Sequence, residues 1–205
     1  MKGILYGVGV NDSKLPVTSK AGGDDETCKA YSSWCSMLTR AYSKKYQEKQ
    51  PTYSGVSVCD EWLVFSGFKD WWVDNYVYGW QLDKDLLSDE RVYSPSTCIY
   101  IPRWLNVFTN HGGADGSKGL IGSYAVPERG MFRSQCGNPQ TRKHEHLGYF
   151  YSRSDAHAAW KKRKLEIALD MKQEMDSIDK RIYERVVEII SRRGCDILDS
   201  VGEDS

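Results

Sequence analysis

The chain has 205 residues, enough for one compact domain or two small ones, and its 28 Lys and Arg balance its 28 Asp and Glu. A zero net charge does not by itself suggest nucleic acid, and no apolar run approaches the ~18 residues that a membrane span needs. Met1–Val10 is short, Gly-rich and without a long apolar core, so no secretory signal and a soluble, cytoplasmic protein are expected.

The charges are unevenly placed. Arg129, Arg133, Arg142, Lys143, Arg153, Lys161, Lys162, Arg163 and Lys164 face only Glu128, Glu145 and Asp155 in the same stretch. A phosphate backbone senses such local asymmetry, although a solvated helix face produces it too. The cysteines at 28, 35, 59, 98, 136 and 195 form no CxxC pair, which argues against a zinc ribbon. Cys28, Cys35, Cys59 and Cys98 could still meet in space, but reduced, mostly buried thiols are the expectation for a cytosolic chain.

In chain order, residues 11–27 are rich in Asp, Ser, Gly and Thr and read as a loop. Trp34, Met37, Leu38 and Ala41 recur at three- and four-residue steps, which predicts a helix with one buried stripe. Trp62, Phe65, Phe68 and Trp72 predict a second helix, with its aromatics in the core. Residues 80–110 read as strand, turn, strand, helix. "WQLDKDLL" leads to a turn at Ser88–Arg91, and Val92, Tyr93, Ile99, Tyr100 and Ile101 favour extended structure. "RWLNVFTN" after Pro102 is a short helix, and "HGGADGSKG" reads as a linker. Three strand-like pieces follow, "LIGSYAV", "GMFRSQCG" and "KHEHLGYFY". Ser152 with Asp155 then marks a helix start. No Gly or Pro occurs from there to Gly194, which predicts one long helix from Asp155 to Arg193. Its stripe Met171, Met175, Ile178, Ile182, Val186, Ile190 has a near-heptad rhythm.

Several pieces resemble, in order, the HNH endonucleases of bacteriophages and mobile elements. "YSSWCSMLTRAYS", "YSGVSVCDEW" and "FSGFKDWW" resemble the region before the nuclease motif, "LDKD" resembles that family's "LDRID", and "YSPSTCIYIPRWLN" resembles its "NYEPGNCRWA" segment. The similarity covers roughly Gly7 to Asn110. It implies a ββα-metal nuclease core in which Asp83 is the metal-binding carboxylate and Asn106, nine positions after Thr97, is the helix ligand. Oxygen donors of this kind imply Mg²⁺ or Mn²⁺. Thr97 stands where the family has its middle, loop-bracing Asn, and Lys84 stands in the position of the catalytic His. A lysine acts as base only with a lowered pKa. Asp85 is a spare carboxylate, and His111 is a substitute base nearby in sequence.

Residues 118–170 resemble the Apetala-type (ethylene-response-factor) DNA-binding domain. The match rests on "HLGYFYSRSDAHAAW", similar to that family's "WLGTFDTAEEAARAY", preceded by "GMFRSQC". It implies a three-stranded antiparallel sheet packed on one helix, with the sheet in the major groove of double-stranded DNA. Alternation puts Arg133 and Gln135 on one face and Phe132 and Ser134 on the other. Arg133 is a candidate for guanine and Gln135 for adenine. Arg129, Arg142, Lys143, His144 and His146 are candidates for phosphate or base contacts. Leu147, Tyr149, Ala156, Ala159 and Trp160 are expected between sheet and helix.

The expected organisation is thus α+β: a lead-in (1–30), a degenerate HNH-like nuclease domain (31–110), a linker (111–117), an Apetala-type DNA-binding domain (118–170) and a C-terminal helix and tail (171–205). The expected function is metal-dependent hydrolysis of phosphodiester bonds in DNA. A DNA-binding or regulatory protein that kept the scaffold and lost cleavage is the alternative. An interaction protein gripping a partner through its last helix is a third reading. That helix is expected either to form a homodimer or to fold back on its own chain.

Overall fold

The computed structural model describes residues 4–14, 17–21, 24–110 and 120–193, with backbone alone for 18–21 and 24–27. His111, the 111–117 linker and the tail from Gly194, Cys195 included, lie outside the described residues. Helix and strand are mixed, 50% and 21%, as an α+β reading requires. The chain divides into two compact units, Met1–Ile101 and Pro102–Ser205. None of the described helices is long and apolar enough to cross a membrane.

The first unit opens with two short antiparallel pairs, β1 (Ile4–Leu5) with β2 (Gly9–Val10) and β3 (Thr18–Ala21) with β4 (Asp24–Thr27). The second pair corrects the expected loop over 11–27. Gly22 and Gly23 separate its strands in sequence, and a Gly-Gly pair is hairpin punctuation. Helix α1 (Lys29–Tyr42) buries Trp34, Met37, Leu38 and Ala41, the stripe its periodicity predicts. After α2 (Lys44–Lys49) and β5 (Ser57–Val58), the expected second helix is two: α3 (Asp60–Leu63) and α4 (Phe65–Asn75). Val64 between them is extended and bridges Val10, a pairing that a β-branched residue favours. Trp34 donates its indole N–H to the Trp62 carbonyl at 2.7 Å, and Trp62 meets Phe68 edge-on, so the aromatics are core.

Strand β6 (Gln81–Asp83) follows, then β7 (Val92–Tyr93), which pairs in parallel with β5, and β8 (Ile99–Ile101), which pairs antiparallel with β6. The Asp83↔Ile99 register puts the Asp83 end of β6 beside the start of β8.

The second unit begins with α5 (Arg103–Thr109). The division therefore assigns α5, the closing helix of the expected ββα motif, to one unit and its β6–β8 hairpin to the other. Strands β9 (Ser123–Val126), β10 (Met131–Asn138) and β11 (Lys143–Phe150) form an antiparallel sheet with β10 in the centre. Helix α6 (Arg153–Asp170) packs on one face. Ser152 caps it by accepting the Asp155 N–H, and the Ser134 hydroxyl donates to the Ala156 carbonyl at 2.7 Å. Gly122, at φ +77°, leaves room for Trp160, whose Cγ would lie 2.1 Å from a Cβ there.

The single long C-terminal helix is not observed. The chain breaks at Met171 and again at Asp179, giving α7 (Lys172–Ile178) and α8 (Ile182–Arg192). Asp179 is extended, and its carboxylate accepts the Arg181 N–H and binds the Arg181 guanidinium. An Asp that captures nearby backbone and side-chain donors competes with the helix. Helix α8 then folds back on α6, burying Ile182, Val186 and Ile190, while Met171 and Met175 are buried as well. Ile178 is half-buried. The apolar stripe that suggests a dimer seam is thus largely consumed within its own unit. Ile190→Ala is expected to destabilise this unit by about 2–5 kcal/mol, the range for truncating a buried Ile, read by urea denaturation. A change below 0.5 kcal/mol would contradict the fold-back.

Candidate nucleic-acid interface and candidate hydrolytic site

With α6 on one face of the β9–β11 sheet, alternation decides what the other face carries. Ser134, Cys136 and Asn138 are buried on the helix side, so Arg133 and Gln135 project from the open side as their spacing predicts. Directly opposed residues share a face. Arg133 stands opposite Tyr124 on β9 and Tyr149 on β11, and Gln135 stands opposite His146. The open face thus carries Tyr124, Arg133, Gln135, Tyr149 and His146, with His144 opposite Gly137. Arg129, in the turn before β10, places its guanidinium carbon 4.6 Å from the Tyr149 ring centre. Arg133 lies 5.7 Å from the Tyr124 ring centre, and its Nε is buried without a hydrogen-bond partner among the described residues. Arg142 and Lys143 are exposed at the β10–β11 turn, where Arg142 adopts a positive φ.

Tyr149 corrects an expectation. The register shifts between Ser134 and Gln135: Ser134 opposes Gly148, but Gln135 opposes His146, so Leu147 is the extra residue of a bulge. Gly148 supplies the φ of +124° at this point. A bulge of one residue flips the phase of alternation. Tyr149 therefore leaves the sheet–helix core and stands 38% exposed on the open face, while Ala156 and Trp160 remain in the core. Tyr124, 39% exposed, was not singled out by sequence reasoning; its cross-strand position opposite Arg133 is visible only once the register is known.

The basic run on α6 also changes meaning. Lys164 is buried, with its ammonium 3.6 Å from the Phe108 ring centre, and desolvation pushes its pKa down to about 8. Arg163 is bound to Glu145 and Glu166, which holds the Glu145 carboxyl below its ordinary range. Lys161 donates to the Ser191 carbonyl. These cations hold the unit together; the ones on or beside the open face are Arg129, Arg133, Arg142 and Lys143.

In the first unit Asp83, Lys84 and Asp85 are brought together at the end of β6. Asp83 Oδ1 accepts the N–H groups of Asp85 at 2.9 Å and Leu86 at 2.8 Å, a side-chain-made turn. Burial is the largest effect on its carboxyl and raises its pKa. Lys84 is only 5% exposed, is paired with the exposed Asp85, and lies 5.9 and 5.7 Å from the Tyr53 and Tyr93 ring centres. Thr97, 2% exposed, braces the loop: its hydroxyl donates to the Val92 carbonyl at 2.7 Å and accepts the Ser94 N–H at 3.1 Å. Asn106 lies on α5 in the second unit, where its Oδ1 accepts from the Asn110 amide.

Tested as a metal centre, this hairpin offers Asp83 as an oxygen donor, since the charge of Asp85 is already met by Lys84. Among the described residues no group of three or more His, Cys, Asp or Glu gathers. The described cysteines are free thiols, with Cys98 and Cys136 buried, Cys35 and Cys59 half-buried and Cys28 exposed. The chain matches no family model, no curated protein and no solved structure.

Asp83 yields a prediction with a defined sign. A carboxyl whose folded pKa is raised contributes stability that is fully present below its unfolded pKa, near 4, and is lost as pH rises through the folded value. Asn at this position keeps the Oδ1 acceptor for both backbone N–H groups and removes the desolvated charge. Asp83→Asn is therefore expected to raise the thermal midpoint at pH 7, with the gain vanishing below about pH 4. A lower midpoint at pH 7 would show that an ionised Asp83 is stabilising.

Proposed function

We propose that this chain binds double-stranded DNA through the open face of the β9–β11 sheet and acts as a metal-dependent endonuclease of the HNH type. The observation that carries the binding half is the open face itself. It presents Arg133 and Gln135 on a central strand, flanked by Arg129, Arg142, Lys143, His144 and His146, with Arg133 and Arg129 against tyrosine rings. A β-ribbon of this width enters the major groove, where Arg pairs bidentately with guanine and Gln with adenine. The cations around it suit phosphates. The cleaving half rests on the resemblance, which implies Asp83 and Asn106 as the ligands of Mg²⁺ or Mn²⁺; such an ion would supply positive charge at the scissile phosphate. Lys84, Asp85 and His111 are the groups from which a base would come. Such a protein works where DNA is accessible, in the cytoplasm of a bacterial or phage-infected cell.

A second reading, DNA binding without cleavage, is favoured by one specific observation. Lys84 is enclosed and ion-paired, and Asp83 Oδ1 already serves a turn, so both have structural work that needs no catalysis. Full-length protein, incubated with plasmid and Mg²⁺ or Mn²⁺ and titrated with duplex, separates the two. The endonuclease reading expects binding that weakens steeply with salt, and cutting that disappears in Asp83→Ala. Arg133→Ala is expected to cost about 1–3 kcal/mol of affinity and to relax sequence preference. Binding without cutting selects the second reading, and neither activity overturns both.

A further inference from the structure

The two arginines beside the sheet's open face are not held alike, and the difference points to work for the tyrosines. Arg133 rises from the central strand between Tyr124 and Tyr149, which face it from the two neighbouring strands. Its guanidinium leans on Tyr124, with the carbon 5.7 Å from the ring centre. Arg129 comes from the turn before β10 and lies over Tyr149 at 4.6 Å. Tyr149 in turn lies 5.0 Å from the His146 ring. Among the described residues each guanidinium is therefore seated against a ring rather than against a carboxylate.

We propose that Tyr124 and Tyr149 are positioning residues for nucleic-acid recognition: Tyr124 holds Arg133 in the orientation that reads a base edge, and Tyr149 holds Arg129 against the phosphate backbone. This rests on the duplex-binding reading above. An arginine free to sample its rotamers gives up that freedom when it forms a two-point contact with a base. A ring face fixes the guanidinium plane while leaving its outer N–H groups unspent, because the attraction is to the aromatic quadrupole and uses no hydrogen-bond donor. A carboxylate partner would instead occupy the donors and cancel the charge. The buried Nε of Arg133, unpartnered among the described residues, fits this arrangement: the stem is packed away and the acceptor for the head comes from outside. The bulge at Leu147 is what brings Tyr149 to this face. The two seats differ in consequence. A base-edge contact affects discrimination between sequences, and a phosphate contact affects salt dependence.

The test uses full-length protein and two duplexes, one enriched from a random pool by the wild-type protein and one of random sequence. Tyr124→Leu is expected to weaken binding to the enriched duplex by about 2- to 5-fold, the scale of an exposed cation–π contact, and to narrow the ratio between the duplexes while keeping the salt slope. Tyr149→Leu is expected to weaken both duplexes alike and to reduce the slope of log K against log salt towards that of Arg129→Ala, which loses about 0.9 per phosphate. Tyr124→Phe and Tyr149→Phe, which keep the ring, are expected to restore wild-type ratio and slope. A merely structural role would lower stability without separating ratio from slope. Leucine variants with wild-type ratio and slope overturn the proposal, as do phenylalanine variants as impaired as leucine. A wild-type protein that binds neither duplex overturns the duplex reading itself.

Discussion

The packing of α6 against one face of the β9–β11 sheet is the constraint on which the second unit depends. Trp160 and Ala156 are buried there, and the Ser134 hydroxyl is tied to the Ala156 carbonyl. Once that face is closed, pleating obliges alternate side chains of β10 to point the other way. Arg133 and Gln135 are outward because Ser134 and Cys136 are inward. The fold-back of α8 adds to the packing on α6, with Ile182, Val186 and Ile190 buried. Burial of Lys164 and the pairing of Arg163 remove cations from the exposed charge that composition suggests.

Much of this was legible in the sequence, and the misses have physical causes. The period-3.6 stripe of α1, the three strands of the sheet and the Ser152 cap follow from local pattern, and they lie where local pattern puts them. Alternation assumes an unbroken ladder and would put Tyr149 on the helix side with Leu147; Gly148 is a weak advance signal of the bulge that breaks it. Neither Gly nor Pro marks the breaks at Met171 and Asp179; at Asp179 a side chain that captures the Arg181 N–H ends the helix instead. Val64 interrupts the second helix through pairing with Val10, a contact 54 residues away in sequence that no window can see.

The candidate hydrolytic site was legible in its residues more than in its arrangement. Asp83, Lys84 and Asp85 stand at the end of β6 with Lys84 paired to Asp85, and the Thr97 hydroxyl ties its loop to the Val92 carbonyl. The same contacts give each residue a role in holding the hairpin. Burial raises the Asp83 pKa, so an ionised carboxylate there opposes folding unless positive charge compensates it.

The central claim, that the sheet's open face meets the duplex, is tested most directly by mapping amide and side-chain resonances of the isotope-labelled protein as double-stranded DNA is added. The account predicts that perturbations concentrate at Tyr124, Arg129, Arg133, Gln135, His144, His146 and Tyr149, with the buried side chains of Ala156, Trp160 and Ile167 on α6 left in place. Perturbations confined to α6 and α8, or to the first unit alone, would contradict it.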